Sequence, residues 1–440
     1  MHLLVGIPLL VAAQGGADMM PFLNTVANFS AQLSLPSNHL RYPNGSTMSH
    51  NAGGTDHIFV NGNLARVLLS TWRLQKNKNP EFLLQALGWC DTLCSLQQPI
   101  VSSRGNNAGY WGVGYPLPGN CSADKPLRGY CAHAGSIYFG DTGTAATTLA
   151  LCYKVSNDST QKARFMEAME RFATFVLEGS ETAPVNKKGH VASFVNPNGA
   201  IGCGYYHCTN RTSDNCAAIP GRETTACASR SPYVIATGTT GAAFFAELFG
   251  LTGNKTYATV AKNSVDFAAS LVLNDGEIPY VLDGANCSIA GCFDVKTGAN
   301  ISGAGVAPRG GWPYDTISYV TEGVVALALN MPSEQPNLVQ QWKPTVDFLL
   351  ATQNANGYWG EGRPSDLMRS PRVLTLLSWW LKAVETPTYK DKPTELAVAR
   401  YLDFLRIEGI GASYGVCRNT ITTGMAGIAV ADSIRLGVSY

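Results

Sequence analysis

Charge is scarce in this chain. Only 14% of its 440 residues are Asp, Glu, Lys or Arg, against about 25% in a typical soluble domain. The two signs nearly cancel, with 32 basic and 31 acidic residues giving a net charge of +1. No dense run of Lys or Arg breaks that balance, so the electrostatic footprint needed for nucleic-acid binding is missing. Hydrophobic residues make up 45%, and with so little net charge this excludes a disordered chain. No Cys-x-x-Cys pair occurs, which removes the usual thiolate spacing of a zinc site. Neither a metal nor a cofactor is expected. Beyond the N-terminus no stretch reaches the roughly 18 apolar residues of a membrane span. The C-terminal RLGVSY carries no anchor signal.

What is present points to the secretory route. The chain opens MHLLVGIPLLVAAQGG, in which Leu3–Ala13 is a short apolar run closing on small residues. That is the pattern of a signal peptide over residues 1–16, followed by a single domain over 17–440. The usual basic residue before the run is missing, and a first buried strand is the competing reading. Twelve cysteines, an even number, gather in Gly/Ser/Asn-rich segments as local disulfides do. Short spacings suggest Cys121–Cys131, Cys203–Cys208, Cys216–Cys227 and Cys287–Cys292. Cys90 and Cys94 stand one helical turn apart and are expected to bond elsewhere, to Cys152 and Cys417. Asn-x-Ser/Thr acceptors occur at Asn28, Asn44, Asn120, Asn157, Asn210, Asn254, Asn286 and Asn300. So many, mostly in loops or at helix starts, suggest N-glycosylation and an extracellular working place.

Repetition dominates the rest. Apolar-periodic segments alternate with Gly/Asn/aromatic loops. Helices are predicted at about 18–33, 61–76, 80–97, 140–155, 159–178, 232–251, 255–273, 314–330, 337–352, 370–385, 393–407 and 420–436. After the first they fall into pairs joined by short turns. The leading member of a pair is small and apolar, as in GDTGTAATTLALCY, so it is buried on most sides. The following member is amphipathic: QKARFMEAMERFATFVLEG puts Phe165, Met169, Phe172 and Val176 on one stripe. Each pair therefore reads as one inner and one outer helix. Five pairs, a last inner helix and the N-terminal helix as its outer partner make six. The predicted fold is all-α, an (α/α)6 toroid with short β-hairpins in the inter-helix loops.

The loops repeat as well. AGYWGVGYP, NGAIGCGYYH, DGEIPYVLDG, NGYWGEG and GIGASYGVC each follow an outer helix and read as Gly-rich hairpins with aromatic tips. All would lie on one rim, together with the N-termini of the inner helices, where backbone N–H groups favour anions. With this architecture the chain resembles the six-hairpin toroid enzymes that act on polysaccharides, both lyases and glycoside hydrolases. QNANGYW (Gln353–Trp359) matches the QxxxGxW repeat of terpene cyclases and some toroid lyases. Other toroid chemistries lack their residues here: WPYDT has a single Asp, no Cys/His/Asp zinc spacing occurs, and GCGYY lacks the glutamine of a GCGEQ thioester.

The resemblance implies a site on the aromatic rim. Polar candidates before or within the first turns of the inner helices are His57, Asn61 and Asn63; His133, Tyr138 and Asp141; Tyr233; Arg309, Trp312, Tyr314, Asp315, Tyr319 and Glu322; Arg369 and Arg372; and Arg418. For β-elimination on a uronic-acid chain, Tyr314, Tyr319 and His133 would serve as acid and base, with Arg or Asn neutralising the carboxylate. For hydrolysis, Asp141, Asp315 and Glu322 would supply the paired carboxyl groups, although Asp141 and Asp315 also stand where an acidic residue caps a helix. Trp111 and Trp359 would stack on sugar rings or pack under their own hairpins. The expected function is a secreted carbohydrate-active enzyme with a poly- or oligosaccharide substrate, a lyase ahead of a hydrolase. A non-catalytic extracellular glycan-binding or matrix protein is the alternative.

Overall fold

The structure is a computed structural model that describes residues 8–33, 58–112, 137–181, 193–202, 204–205, 233–278, 312–360, 370–410, 416–417 and 420–437, with the side chains of the first helix described from Met19 onward. Among these residues are twelve helices: α1 (Pro8–Gln32), α2 (Ile58–Leu74), α3 (Pro80–Leu96), α4 (Phe139–Val155), α5 (Ser159–Glu178), α6 (Val234–Thr252), α7 (Lys255–Ser270), α8 (Trp312–Asn330), α9 (Gln335–Thr352), α10 (Val373–Val384), α11 (Lys392–Phe404) and α12 (Thr420–Arg435). The inner members pack in the cyclic order α2, α4, α6, α8, α10, α12 and back to α2. Each outer member lies on the inner helix before it, and α1 lies on α12 and α2. The ring is closed, and the fold is the (α/α)6 toroid.

Sequence chemistry explains the two kinds of helix. Three outer helices, α5, α7 and α11, begin with side-chain caps: Asp158 accepts from Thr160 and Gln161 N–H, Asn254 from Thr256 N–H, and Asp391 from Thr394 N–H. Inner helices instead carry small residues that let backbones approach. A Cβ on Gly143 would stand 2.6 Å from the Thr240 nitrogen, and one on Gly238 2.7 Å from Val320 Cα. Thr239 fills the same seam and donates its hydroxyl to the Gly140 carbonyl. The middle of α6, Thr237–Phe244, widens into π-helical turns. Against the sequence expectation, Val234–Thr252 is long and apolar enough to cross a membrane, with a mean hydropathy of 1.4. Its neighbours on all sides account for that composition, since it is the third stave of the ring and is buried there.

Four glycine turns that follow outer helices, three of them at the start of predicted Gly-rich hairpins, share one construction among the described residues. Gly105, Gly199, Gly276 and Gly357 each donate N–H to the carbonyl three residues back, at 2.8–3.0 Å. Each has φ between 81° and 92°, where glycine alone is unstrained. The QxxxGxW stretch now has a mechanical meaning. Gln353 donates to the Gly357 carbonyl and to Ala397 of α11, while Trp359 donates its indole N–H to Leu349 of α9. Gln97 and Trp111 repeat this after α3, bonding Ala168 of α5 and Leu93. The motif pins one outer helix to the next. Short antiparallel pairs join the same region, β1 (Gln98–Val101) with β2 (Asn107–Tyr110) and β3 (Ile137–Tyr138) with β4 (Gly204–Tyr205).

Two of the differences in helix boundary bear on the site and the chain start. α1 begins at Pro8 rather than near Asp18, so the apolar N-terminal run continues the helix backward. α10 begins three residues late, after a single 3₁₀ turn at Ser370–Arg372. Of the two longer-range disulfide expectations, Cys90–Cys152 is present and ties α3 to α4. Cys94 and Cys417 are unbridged, and burial raises both thiols, Cys94 to about 12 and Cys417 to about 11. The other expected pairs involve cysteines outside the described residues.

Candidate functional site

Because every inner helix is reached through an outer one, all six run in the same direction. Their N-terminal ends form the rim that receives the long connections, and their C-terminal ends form the rim of short turns. On α8, Asp315, Tyr319 and Glu322 share one face at spacings of four and three. On α2, Phe59, Asn63 and Arg66 do the same. These stripes meet across the axis, since α2 and α8 stand opposite each other in the ring. Three layers result.

The first layer is acidic. Asp315 stands in the first turn of α8 and is only 5% exposed. Asp141 stands half-buried in the first turn of α4. The second layer is apolar. Phe59 and Tyr319 meet with ring centroids 5.8 Å apart, joined by Val60, Leu64, Ile235, Ile421 and Met425. Tyr233 and Phe29 pack against this cluster, and Asn63 faces Met425, its Nδ2 lying 3.7 Å from the sulfur.

The third layer is ionic. Glu322 accepts from Nη1 of Arg66 and, at 2.6 Å, from Nη1 of Arg372. Arg66 also lies 3.6 Å from Asp432, which pairs with Arg435 at 3.2 Å. Lys154 pairs with Glu247 on the other side of the ring. Burial pushes the Glu322 carboxyl up, but the guanidiniums of Arg372 and Arg66 outweigh it and hold it below its ordinary value. Burial lowers Arg66, and Glu322 and Asp432 more than restore it, so it ends raised. Both partners are thus held charged. A cavity of about 310 Å³ opens here, walled by the C-terminal halves of α2, α4, α8 and α12 and by the start of α10.

The structure separates the predicted residues among these layers. Glu322 does not join Asp141 and Asp315 at the rim; it lies two turns deeper, occupied by two arginines. Arg372 is not on the rim either. It is 0% exposed and level with Glu322, because α10 starts low in the barrel. Ser378 bonding Ser433, near the end of α12, fixes that offset. Tyr314 stacks on Phe348 of α9 at 5.8 Å, so it turns to the outer ring rather than the axis. Trp111 and Trp359 are buried pins and offer no face for a sugar. Asn61 is buried and Tyr233 half-buried. His57, His133, Arg309, Arg369 and Arg418 lie outside the described residues, as do all seven histidines, and the side chains of Tyr138 and Trp312 are not described. Among the described residues no His/Cys/Asp/Glu group could hold a metal ion.

Sequence reasoning missed Arg66, Glu247 and Asp432. The signal was there for Arg66 and Glu247, each a lone charge within an apolar stretch of an inner helix, as in NLARVLL, and such charges are rarely buried without a partner. Of the predicted glycosylation sites, Asn28, Asn157 and Asn254 are exposed. Asn44, Asn120, Asn210, Asn286 and Asn300 lie outside the described residues.

No protein-family profile matches the sequence, and no curated protein matches it. Solved structures do match. An α-1,6-mannanase of glycoside hydrolase family 76 from Salegentibacter sp., bound to α-1,6-mannotriose and inactivated by replacing two consecutive aspartates, is 10% identical. The match covers 95% of this chain and 100% of that one, with a TM-score of 0.55. A family 76 α-mannanase from Bacteroides thetaiotaomicron is 11% identical over 96% of each chain, with a TM-score of 0.55. Cellobiose 2-epimerase from Bacillus thermoamylovorans is 12% identical over 88% of this chain and 87% of that one, at 0.51. At such identities the likeness is one of fold. The present sequence contains no two consecutive aspartates.

Proposed function

We propose that this chain is a secreted carbohydrate-active enzyme that cleaves an oligo- or polysaccharide at the rim of inner-helix N-termini. The observation that carries this reading is that Asp141 and Asp315 each stand in the first turn of an inner helix, on the same rim. The toroid is shared with mannanases, one of them solved with mannotriose bound, and this supports a glycan as substrate.

Hydrolysis now stands ahead of elimination. Two carboxyl groups suffice for it: one protonates the glycosidic oxygen as the bond to the anomeric carbon breaks. The other takes a proton from attacking water or attacks that carbon itself. Asp141 is the more open to water and Asp315 the more withdrawn. Two residues wanted for elimination, Tyr314 and Arg372, are engaged elsewhere by Phe348 and Glu322. Elimination keeps one specific support, because Tyr319 does face the axis one turn below Asp315.

The test is an assay of the secreted chain on α-mannans, β-glucans and polyuronides, scoring both new reducing ends and ultraviolet absorbance from unsaturated ends. Asp141→Asn and Asp315→Asn are each expected to lower kcat by about a hundredfold or more, with no unsaturated product. Retained activity in both variants would sink the carboxylate reading, and an unsaturated product lost in Tyr319→Phe would establish the elimination reading. Secretion is tested separately: an expressed chain should reach the medium, and N-glycosidase should lower its mass.

A further inference from the structure

The ionic layer leaves donors over. Glu322 takes one nitrogen of Arg372, Nη1. The other two, Nε and Nη2, are buried and have no hydrogen-bond partner. Thr375 stands one turn along α10, and its hydroxyl is also buried without a partner. Both residues line the cavity of about 310 Å³. Donors withdrawn from water and left unpaired are costly, and these belong to two residues of the same cavity wall, lying just beneath its surface.

The kind of donor defines what fits. Nε and Nη2 form the side-on edge of a guanidinium, two parallel N–H groups that match the two oxygens of a carboxylate or a phosphate. The approach to them is cationic. Arg73, exposed, and Arg435, half-open and 41% exposed, also line the cavity, on the last turns of α2 and α12. The wall carries four arginines against the three carboxylates of Glu247, Glu322 and Asp432, and Lys154 already answers Glu247. Such a collar concentrates anions at its mouth. The size is that of the smallest ligand pockets, about 300 Å³ and upward, so one ring-sized molecule fits and a polymer does not. The apolar layer of Phe59, Tyr319 and Met425 stands between this cavity and the acidic rim.

We propose that the cavity at the short-turn end of the barrel is a second binding site, separate from the rim, for a small oxyanion-bearing molecule. Its carboxylate or phosphate sits on Arg372 Nε and Nη2 and on the Thr375 hydroxyl, having entered past Arg73 and Arg435. The site does not depend on the reaction assigned to the rim.

The probes are free glucuronate and inorganic phosphate, titrated calorimetrically into the full chain. Saturable one-site binding of at least one is expected, and which one binds tells a sugar acid from a phosphate. Arg372→Lys keeps a cation for Glu322 but loses the two-donor edge, and should weaken binding about tenfold or more. Thr375→Val has the same shape without the donor; it should weaken binding several-fold while leaving the free protein no less stable. Arg435→Gln should weaken binding and flatten its dependence on salt. If Arg372→Lys does not fold, the other two variants decide. No saturable binding of either probe, or wild-type affinity in both Thr375→Val and Arg435→Gln, would overturn the proposal and leave the cavity to water.

Discussion

Two neighbouring slices of the barrel axis are filled by opposite chemistry. The slice nearer the long connections is closed by Phe59, Tyr319, Ile235 and Met425. The slice one turn below is closed by Arg66, Glu322, Arg372 and Asp432. Both span the ring between the same opposed helices, α2 and α8. They differ in how they fail. An apolar contact loses stability in proportion to what is removed. An ionic cluster in low dielectric behaves as a unit: intact it nearly offsets its desolvation, and broken it leaves charges stranded. The toroid thus has one tolerant seal and one brittle seal, set a turn apart.

The sharpest way to break the comparison is to remove the shared partner of the brittle seal. Glu322→Ala strands two buried guanidiniums and should cost about 3–5 kcal/mol in urea unfolding. A cost below about 1 kcal/mol would show the layer to be solvated and the contrast unreal. Phe59→Ala opens the tolerant seal and should cost about 3 kcal/mol, with its loss eased by larger aliphatic residues at the same position, which no substitution at Glu322 should achieve. Acid separates the layers further. The folded Glu322 carboxyl sits below its ordinary value, so its contribution is complete above the unfolded carboxylate range, about pH 4.3. It is lost as pH falls through the lower folded value. The stability gap between wild type and Glu322→Gln should therefore be constant near neutrality and shrink in acid, while the gap for Phe59→Ala stays flat. Tyr319→Phe gives the smallest effect, under about 1.5 kcal/mol. It asks whether the tolerant seal is only packing: unchanged turnover on the substrate confirms a packing role, and lost turnover makes Tyr319 part of the chemistry.

The architecture was legible in the sequence because it is written twice. The inner–outer alternation appears as composition, small apolar GDTGTAATTLALCY against amphipathic QKARFMEAMERF. The count of six appears as repetition. Even the place of α1, beside α12, followed from the arithmetic of pairs. The site was less legible, for a geometric reason. Sequence gives the distance of a residue from its helix start, and it assumes all six starts are level. They are not. α10 begins a few residues after its pattern and stands low in the ring, so Arg372 meets the middle of α8 instead of the rim. Tyr314 and Tyr319 differ by five residues, more than a full turn, and face outward and inward respectively. The aromatic motif misled in another way: the tryptophans of AGYWG and NGYWG are spent on carbonyls of their own preceding helices. A charge such as Arg66 was visible but looked isolated, because its partner Glu322 lies 256 positions away.

The seating of α1 on α12 bears on how such a molecule is made. These two helices stand at opposite ends of the numbering, yet they are one hairpin's worth of structure. Arg66 and Asp432 repeat the same long leap inside the ring. During synthesis, α2 and α4 can assemble early with their outer partners, but each partial ring exposes the flanks that the missing staves will cover. Closure of the ring rests on α12, which packs between α10 and α2 and gives α1 its second wall. Topologies dominated by such distant contacts fold slowly and present sticky intermediates. Until those distant contacts form the ring is an open arc, and the Cys90–Cys152 bond is one link between its first two hairpins that does not wait for closure.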